Sequence, residues 1–293
     1  MTAIHKSVLL NEVLELSGAD NARLMFDMNL GEGGHTFSFL NKYPQLKVIG
    51  VDADEKMIER ANERLFPFKD RFKSVHAWSD EFLSSYKGEQ PDLILFDLGL
   101  CMYHFKEAQR GFSFTDEKLD MRLDESSSKS AYTVVNTYSE ESLRDILYKF
   151  GGEKNSRRIA GAIVKYRKNK KINTSIELHE IISGCFSASQ RAKSKTDVAT
   201  RSFQALRIEV NDELKRFQSA LLSAYEILNV NGRIEVISFH SLEDGIAKWT
   251  FRSLNADGKI SILTKKPVVP SDEELTKNPS SRSSKLRVAV REK

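Results

Sequence analysis

RLMFDMNLGEGGHTFSFLNKY, residues 23–43, decides the fold. A short apolar run closes on Asp27, a glycine-rich turn follows through Gly31, Gly33, Gly34, His35 and Thr36, and the pattern then turns helical. Strand, glycine turn and helix in that order form the opening unit of a doubly wound α/β sheet. Glycines let the backbone approach a ligand closely, and amides at the start of the next helix point at it. Working outward, KVIGVD (Lys47–Asp52) repeats the strand signal, EKMIERANERLF reads as a helix, and FKSVHAW and LILFD (Leu93–Asp97) supply two further strands. Four such units in sequence predict a mostly parallel, Rossmann-like sheet.

Beyond residue 105 the texture changes. Polar DESSSKS (Asp124–Ser130) precedes helical patterns without clear strands to about residue 205. Ile159, Ile163 and Tyr166 share one helical face. Leu214, Phe217, Leu221, Tyr225 and Leu228 recur at helical spacing, NVNGR turns into the strand RIEVISF, and ISILT and KLRVAV complete the sheet. The expected organisation is a core of residues 1–105 and 207–293 interrupted by a helical insertion at 106–206. No internal repeat is present.

The chain has 293 residues, 40% of them hydrophobic, enough for one large domain with an insertion or for two domains. It has neither a signal-like start nor a run of 18 apolar residues, so a cytoplasmic protein without a membrane segment is expected. Its two cysteines, Cys101 and Cys185, form no CxxC pair and suit reduced thiols rather than a disulfide framework or a zinc ribbon. Net charge is only +4, but its distribution is uneven: Lys154–Lys171 has eight basic residues and no acid. Further basic clusters lie at Arg191–Arg201 and Ser280–Arg287. Segments of this kind either converge on a polyanion or form separate solvated faces.

Asp52 ends the second strand about twenty residues after the glycine turn, where a carboxylate can accept hydrogen bonds from ribose hydroxyls. Thr36 stands where the dinucleotide fingerprint needs glycine, and no GK[ST] follows, which excludes a Walker A loop. S-adenosylmethionine carries a ribose and no phosphates, and suits this loop. A tight strand–helix turn with a capping Asp is the plain structural alternative.

Six ordered motifs carry a resemblance over essentially the whole chain: HKSVLLNE (His5–Glu12), DMNLGEGGHT, RGFSF with LDMRLD (Arg110–Asp124), TRSFQALRIEVNDEL (Thr200–Leu214), GRIEVISFHSLED (Gly232–Asp244) and NPSSRSSKLR (Asn278–Arg287). The chain resembles the bacterial 16S ribosomal RNA (cytosine-N4)-methyltransferases, the RsmH or MraW family. The resemblance implies a class I methyltransferase sheet with a helical insertion, S-adenosylmethionine as cofactor, and methylation of a cytidine in the decoding region of small-subunit RNA. It places Asp27, Gly31, Gly33, Gly34, His35, Asp52, Trp78, Asp97 and His104 at the cofactor. The family usually has Gly-Thr after the first-strand Asp; Met28 and Asn29 stand here. A Ser-Ser pair and a Gln follow its Asp-Leu-Gly; here these are Cys101, Met102 and His104. Gly245 replaces the Arg after His-Ser-Leu-Glu-Asp.

Cytosine's exocyclic nitrogen is a poor nucleophile because its lone pair is conjugated into the ring. Transfer needs that pair steered out of conjugation and the reacting atoms held in line. Asp97 and the carbonyls of Leu98–Gly99 stand at the right strand end to do so, with His240 at the end of the fifth strand on the same sheet edge. A target base must be unstacked. Tyr103, Phe105 or Phe112 could stack on it, and Arg110 could hold a neighbouring phosphate. Arg201 and Arg207 could meet phosphates or pair with Glu209 and Glu213. No residue cluster suggests a metal. Two functions remain open on sequence: an active methyltransferase with an unusual loop, or a paralogue that binds RNA or small subunits without transferring methyl. A nicotinamide-dependent oxidoreductase is poorly supported, and homodimerisation is left open.

Overall fold

The computed structural model describes residues 7–293; His5 and Lys6 of the HKSVLLNE motif lie outside the described residues. The chain divides into two compact units, one of Met1–Cys101 with Leu214–Lys293 and one of Met102–Glu213.

In the first unit seven strands form one sheet: β1 (Leu24–Asp27), β2 (Lys47–Asp52), β3 (Phe72–His76), β4 (Leu93–Asp97), β5 (Arg233–Ser238), β6 (Ile260–Ile262) and β7 (Lys285–Arg291). Their spatial order is β3-β2-β1-β4-β5-β7-β6. Strands β1 to β5 pair in parallel and β7 runs antiparallel to β5 and β6. The expected mostly parallel, doubly wound sheet is therefore present. Chain order reverses between β1 and β4, and crevices at such a switch point, outside the carboxyl ends of the strands, are where ligands bind in this kind of sheet.

Both faces of the sheet are covered, which is why its central strands read as unbroken apolar runs. Leu24 and Phe26 face one core with Phe96, Phe217 and Phe251, while Met25 between them faces the other with Leu95, Val13 and Phe39. The periodic apolar face foreseen around Phe217 and Leu221 belongs to the helix Glu213–Ile227, and the Phe217 ring meets Phe96 edge-on at 5.6 Å. The helix Glu55–Leu65 starts where the Asp54 carboxylate accepts from the Lys56 amide at 2.9 Å, and buries Met57, Ala61 and Leu65.

The second unit is helical. It contains Ala131–Thr137, Glu140–Gly151, Ser156–Arg167, Ser175–Ser183 and Thr200–Asn211, among shorter helices. Ser130 and Thr133 form a capping box at the first of these, and Thr174 and Glu177 form another at Ser175–Ser183. Gly151 lets two helices approach: a Cβ there would lie 2.5 Å from the Arg201 carbonyl oxygen. Among the described residues no helix is long and apolar enough to cross a membrane.

Candidate functional site

Three strands deliver a carboxylate to the same edge of the sheet. Asp27 ends β1, Asp52 ends β2 and Asp97 ends β4; in the parallel register Asp27 stands opposite Gly50 and Leu95, so Asp52 and Asp97 each reach two residues further along.

Asp27 is 1% exposed. Thr36 donates its hydroxyl to Asp27 Oδ2 at 2.7 Å, while Oδ1 has no partner among the described residues. Burial raises the Asp27 pKa to about 6, against the lowering effect of the Thr36 hydrogen bond. Thr36 thus earns its place in the loop: the residue that breaks the dinucleotide fingerprint holds the first acid. Asp52 accepts from the Gly31 amide at 2.8 Å and from the Asp54 amide at 2.9 Å, which fixes its carboxylate beside the turn. His35 is buried, with Nε2 3.4 Å from Asp97 Oδ2 but outside hydrogen-bond geometry. Both His35 ring nitrogens, Asp97 Oδ1 and Asn29 Oδ1 are also buried without hydrogen-bond partners among the described residues. Buried polar atoms are ordinarily satisfied. A cluster of orphans at one strand edge marks a place prepared for polar groups of a ligand.

The glycine turn is shaped by close approach. Gly33 caps the helix Gly34–Lys42 at φ 74°, and a Cβ on it would stand 2.8 Å from Leu65 Cδ1. Gly31 has φ 52° but faces open space. Gly33→Val should therefore weaken cofactor binding about tenfold or more and cost about 1–3 kcal/mol of stability. Gly31→Ala should cost only the left-handed backbone penalty of about 1–2 kcal/mol. Calorimetric titration with S-adenosylmethionine and thermal melts compare the two; equal losses would show that the Leu65 contact does not shape the turn.

Trp78 follows β3 and precedes the helix Ser79–Ser85. The Arg216 guanidinium lies 4.4 Å from its ring centroid and is itself held by Asp80 and Glu81, each at 2.9 Å. After β4, Gly99 adopts φ 117° against Phe239, and the Cys101 thiol turns to Met57 Sδ at 3.3 Å.

His240 caps the helix Ser241–Ala256: its Nδ1 accepts from the Glu243 amide at 3.3 Å, and Glu243 returns bonds to the Phe239 and His240 amides. The imidazole is the N-cap, and Glu243 completes a capping box with it. Asp244 instead pairs with Arg287 at 2.7 Å and Lys285 at 3.3 Å.

The remaining predicted residues belong to the helical unit. His104 is 4% exposed and packs edge-on against Phe112 at 5.2 Å, with Tyr103 beside it at 5.8 Å. Phe112 and Arg110 are buried, and Arg110 pairs with Glu125 at 3.0 Å. RGFSF and LDMRLD are strapped together: the Met121 amide donates to the Arg110 carbonyl at 2.7 Å, and the Asn211 side chain bonds both Met121 and Leu123. Arg207 makes a bidentate pair with Glu213, at 2.8 and 2.9 Å, so the acid-pairing alternative describes it. Arg201 is exposed, as are Arg157, Arg158, Lys165 and Lys168 of the basic segment.

Residues 2–292 match the MraW methylase family. The chain belongs to that family. Among its curated relatives, ribosomal RNA small subunit methyltransferase H of Treponema denticola is 44% identical over 98% of this chain and 97% of its own length. The protein of the same name from Borrelia turicatae is 45% identical over 97% and 96%. An rRNA methylase from Streptococcus thermophilus has a solved structure with TM-score 0.46 and 11% identity, covering 99% of this chain and all of that one. In this MraW methylase Asp27, Asp52 and Asp97 and the glycine turn stand at the carboxyl ends of β1, β2 and β4.

Proposed function

We propose that this chain is an S-adenosylmethionine-dependent methyltransferase that methylates the exocyclic N4 amine of a cytidine in the decoding region of 16S ribosomal RNA. The observation that carries it is the row of Asp27, Asp52 and Asp97 around a glycine turn with orphaned buried polar atoms, in a chain closely related over its length to rRNA small subunit methyltransferases.

The residues present fit the cofactor. Asp52, fixed by two backbone amides, is suited to the ribose hydroxyls. Asp27 and the turn at Gly31, Gly33 and Gly34 would receive the polar end of the amino-acid moiety, with Trp78 beside the adenine. Bound there, S-adenosylmethionine supplies an electrophilic sulfonium methyl group.

The chain's own contribution is to prepare the amine. Asp97 Oδ1, buried and unpartnered, accepts a hydrogen bond from the N4 amine and draws the lone pair out of conjugation. The carbonyls of Leu98 and Gly99 are the further acceptors at this strand end. As N4 gains positive charge, the Asp97 carboxylate stabilises it, and proton loss from the methylated amine needs no dedicated base. His240, held rigidly as a helix cap on the neighbouring strand, borders the base as a positioning residue. Exposed Arg157, Arg158, Lys165, Lys168 and Arg201 bind phosphates of the RNA.

The test is transfer itself. The protein is incubated with labelled S-adenosylmethionine and small subunits lacking the modification, and the product nucleoside is identified. N4-methylcytidine is expected. Absence of transfer, with an active relative succeeding on the same subunits, would sink the proposal and leave an RNA-binding paralogue.

A further inference from the structure

The helix Ser241–Ala256 begins at the His240 cap and carries on its outer side two features that the methyl-transfer site does not use. The first is Trp249, 62% exposed, at the rim of a groove of about 540 Å³ lined by Leu222, Leu242, Gly245 and Ile246. Gly245 leaves the groove open, since nothing lies within 4 Å of where its Cβ would stand. The second is a neighbouring pocket of about 380 Å³ lined by Lys248, Arg252, Lys265 and Arg287, with no acid in its wall. Arg287 is paired with Asp244, but Lys248, Arg252 and Lys265 make no ion pair among the described residues. The Lys248 ammonium and the Arg252 guanidinium each lie over the indole, 5.0 Å from its ring centroid.

An exposed tryptophan framed by unpaired cations is poorly explained by packing. An aromatic face beside a cationic pocket is the combination that holds a nucleotide chain: a base stacks on the ring and phosphates meet the cations. The cations also disfavour a basic protein segment in the groove. Trp249 lies nine residues beyond His240, about 13 Å along the helix, so a strand bound here would continue from the target nucleotide.

We infer that this helix face is a docking strip for single-stranded RNA flanking the methylated cytidine, with a base stacked on Trp249 and phosphates held by Lys248, Arg252 and Lys265. The inference rests on the rRNA reading above and extends it to a second contact.

The test uses Trp249→Ala, Trp249→Phe and the triple variant Lys248→Ala, Arg252→Ala, Lys265→Ala. Each is measured for binding to a short labelled single-stranded RNA of the decoding region and for KM and kcat on unmodified small subunits. Trp249→Ala and the triple variant should each raise Kd and KM about tenfold, within the range for loss of one stacked base, with kcat retained. Trp249→Phe should recover most of the affinity. The triple variant should also flatten the salt dependence of binding, reducing the slope of log K against log salt by about 2. Unchanged Kd and KM overturn the inference, as does a fall in kcat at unchanged Kd. Weakened subunit binding with unchanged affinity for naked RNA overturns it too, by assigning the face to a protein. If wild type transfers no methyl, the catalytic reading fails by itself, while RNA binding still decides the role of Trp249.

Discussion

Asp97→Ala is expected to lower methyl transfer by about 10²–10³-fold, the usual loss for one preorganised electrostatic group, while the fold stays intact. The reason lies in how little the fold asks of this carboxylate. Oδ1 has no partner, and the nearest contact of Oδ2 is His35 Nε2 at 3.4 Å without hydrogen-bond geometry. Removing a side chain that satisfies no neighbour breaks no network. Asp97 also contributes to the raised Asp27 pKa of about 6, so the variant should titrate Asp27 at lower pH. That shift is an independent sign that the substitution acted locally. Asp97→Asn keeps an acceptor but loses the charge and should fall between wild type and alanine. The measurement is kcat and KM on unmodified subunits, with the S-adenosylmethionine Kd measured separately. A weakened Kd at unchanged kcat would make Asp97 a cofactor holder alone. Transfer within threefold of wild type with unchanged KM and Kd would remove it from the site.

The altered loop after β4 bears on the same experiment. A serine hydroxyl in place of Cys101 would be a strong hydrogen-bond donor, whereas this thiol lies against the Met57 thioether. A thiol–thioether contact is weakly polar and close to ordinary packing. The Leu98 and Gly99 carbonyls are acceptors supplied by the backbone, which no side-chain replacement removes. Substitution of the serines leaves the carboxylate and carbonyl acceptors of the strand end in place, which is why activity is expected despite the changed loop.

The sheet was legible because its strands are buried on both faces and terminate in acids. LMFD and LILFD announce themselves by composition, and the glycine turn fixes the direction of the chain between them. The helix around Phe217 and Leu221 was legible from periodicity. What the sequence hid were pairings set by tertiary neighbours. Thr36 looked like a missing glycine until its hydroxyl was seen on Asp27. Arg207 had two acids within reach along the chain, and only the left-handed turn at Asp212 puts Glu213 opposite its guanidinium. Arg216 over Trp78 joins residues more than a hundred positions apart, with no local pattern to reveal it. Glu235 was the least visible of all, because RIEVISF reads as an ordinary strand with a polar residue on a solvated face.

Glu235 is instead fully buried, with neither carboxyl oxygen partnered among the described residues. In register it stands between Leu95 of β4 and Val288 of β7, which pack in the core that includes Val13 and Phe39. Burial pushes its pKa well above the usual carboxylate value of 4.5, and Arg233 offsets this only in part. The unfolded chain therefore releases the Glu235 proton at lower pH than the folded one. Above pH 4.5 the folded state binds more protons, so this residue makes stability fall as pH rises until its folded pKa is passed. Glu235→Leu removes both the titration and the unpaired oxygens at similar volume, and should stabilise the protein by about 1–4 kcal/mol at pH 8. For a protein of this size that raises the melting midpoint by about 2–4 °C per kcal/mol. Glu235→Gln keeps unpaired polar atoms but cannot ionise, so it should match wild type near pH 4 and exceed it at pH 8. Asp27 titrates in all three proteins, and the difference between their stability–pH curves isolates Glu235. Thermal melts from pH 4 to 8 decide the matter. Parallel curves for wild type and Glu235→Leu would mean that the carboxyl reaches solvent or a partner, and the strand would then have to open at its centre to let it.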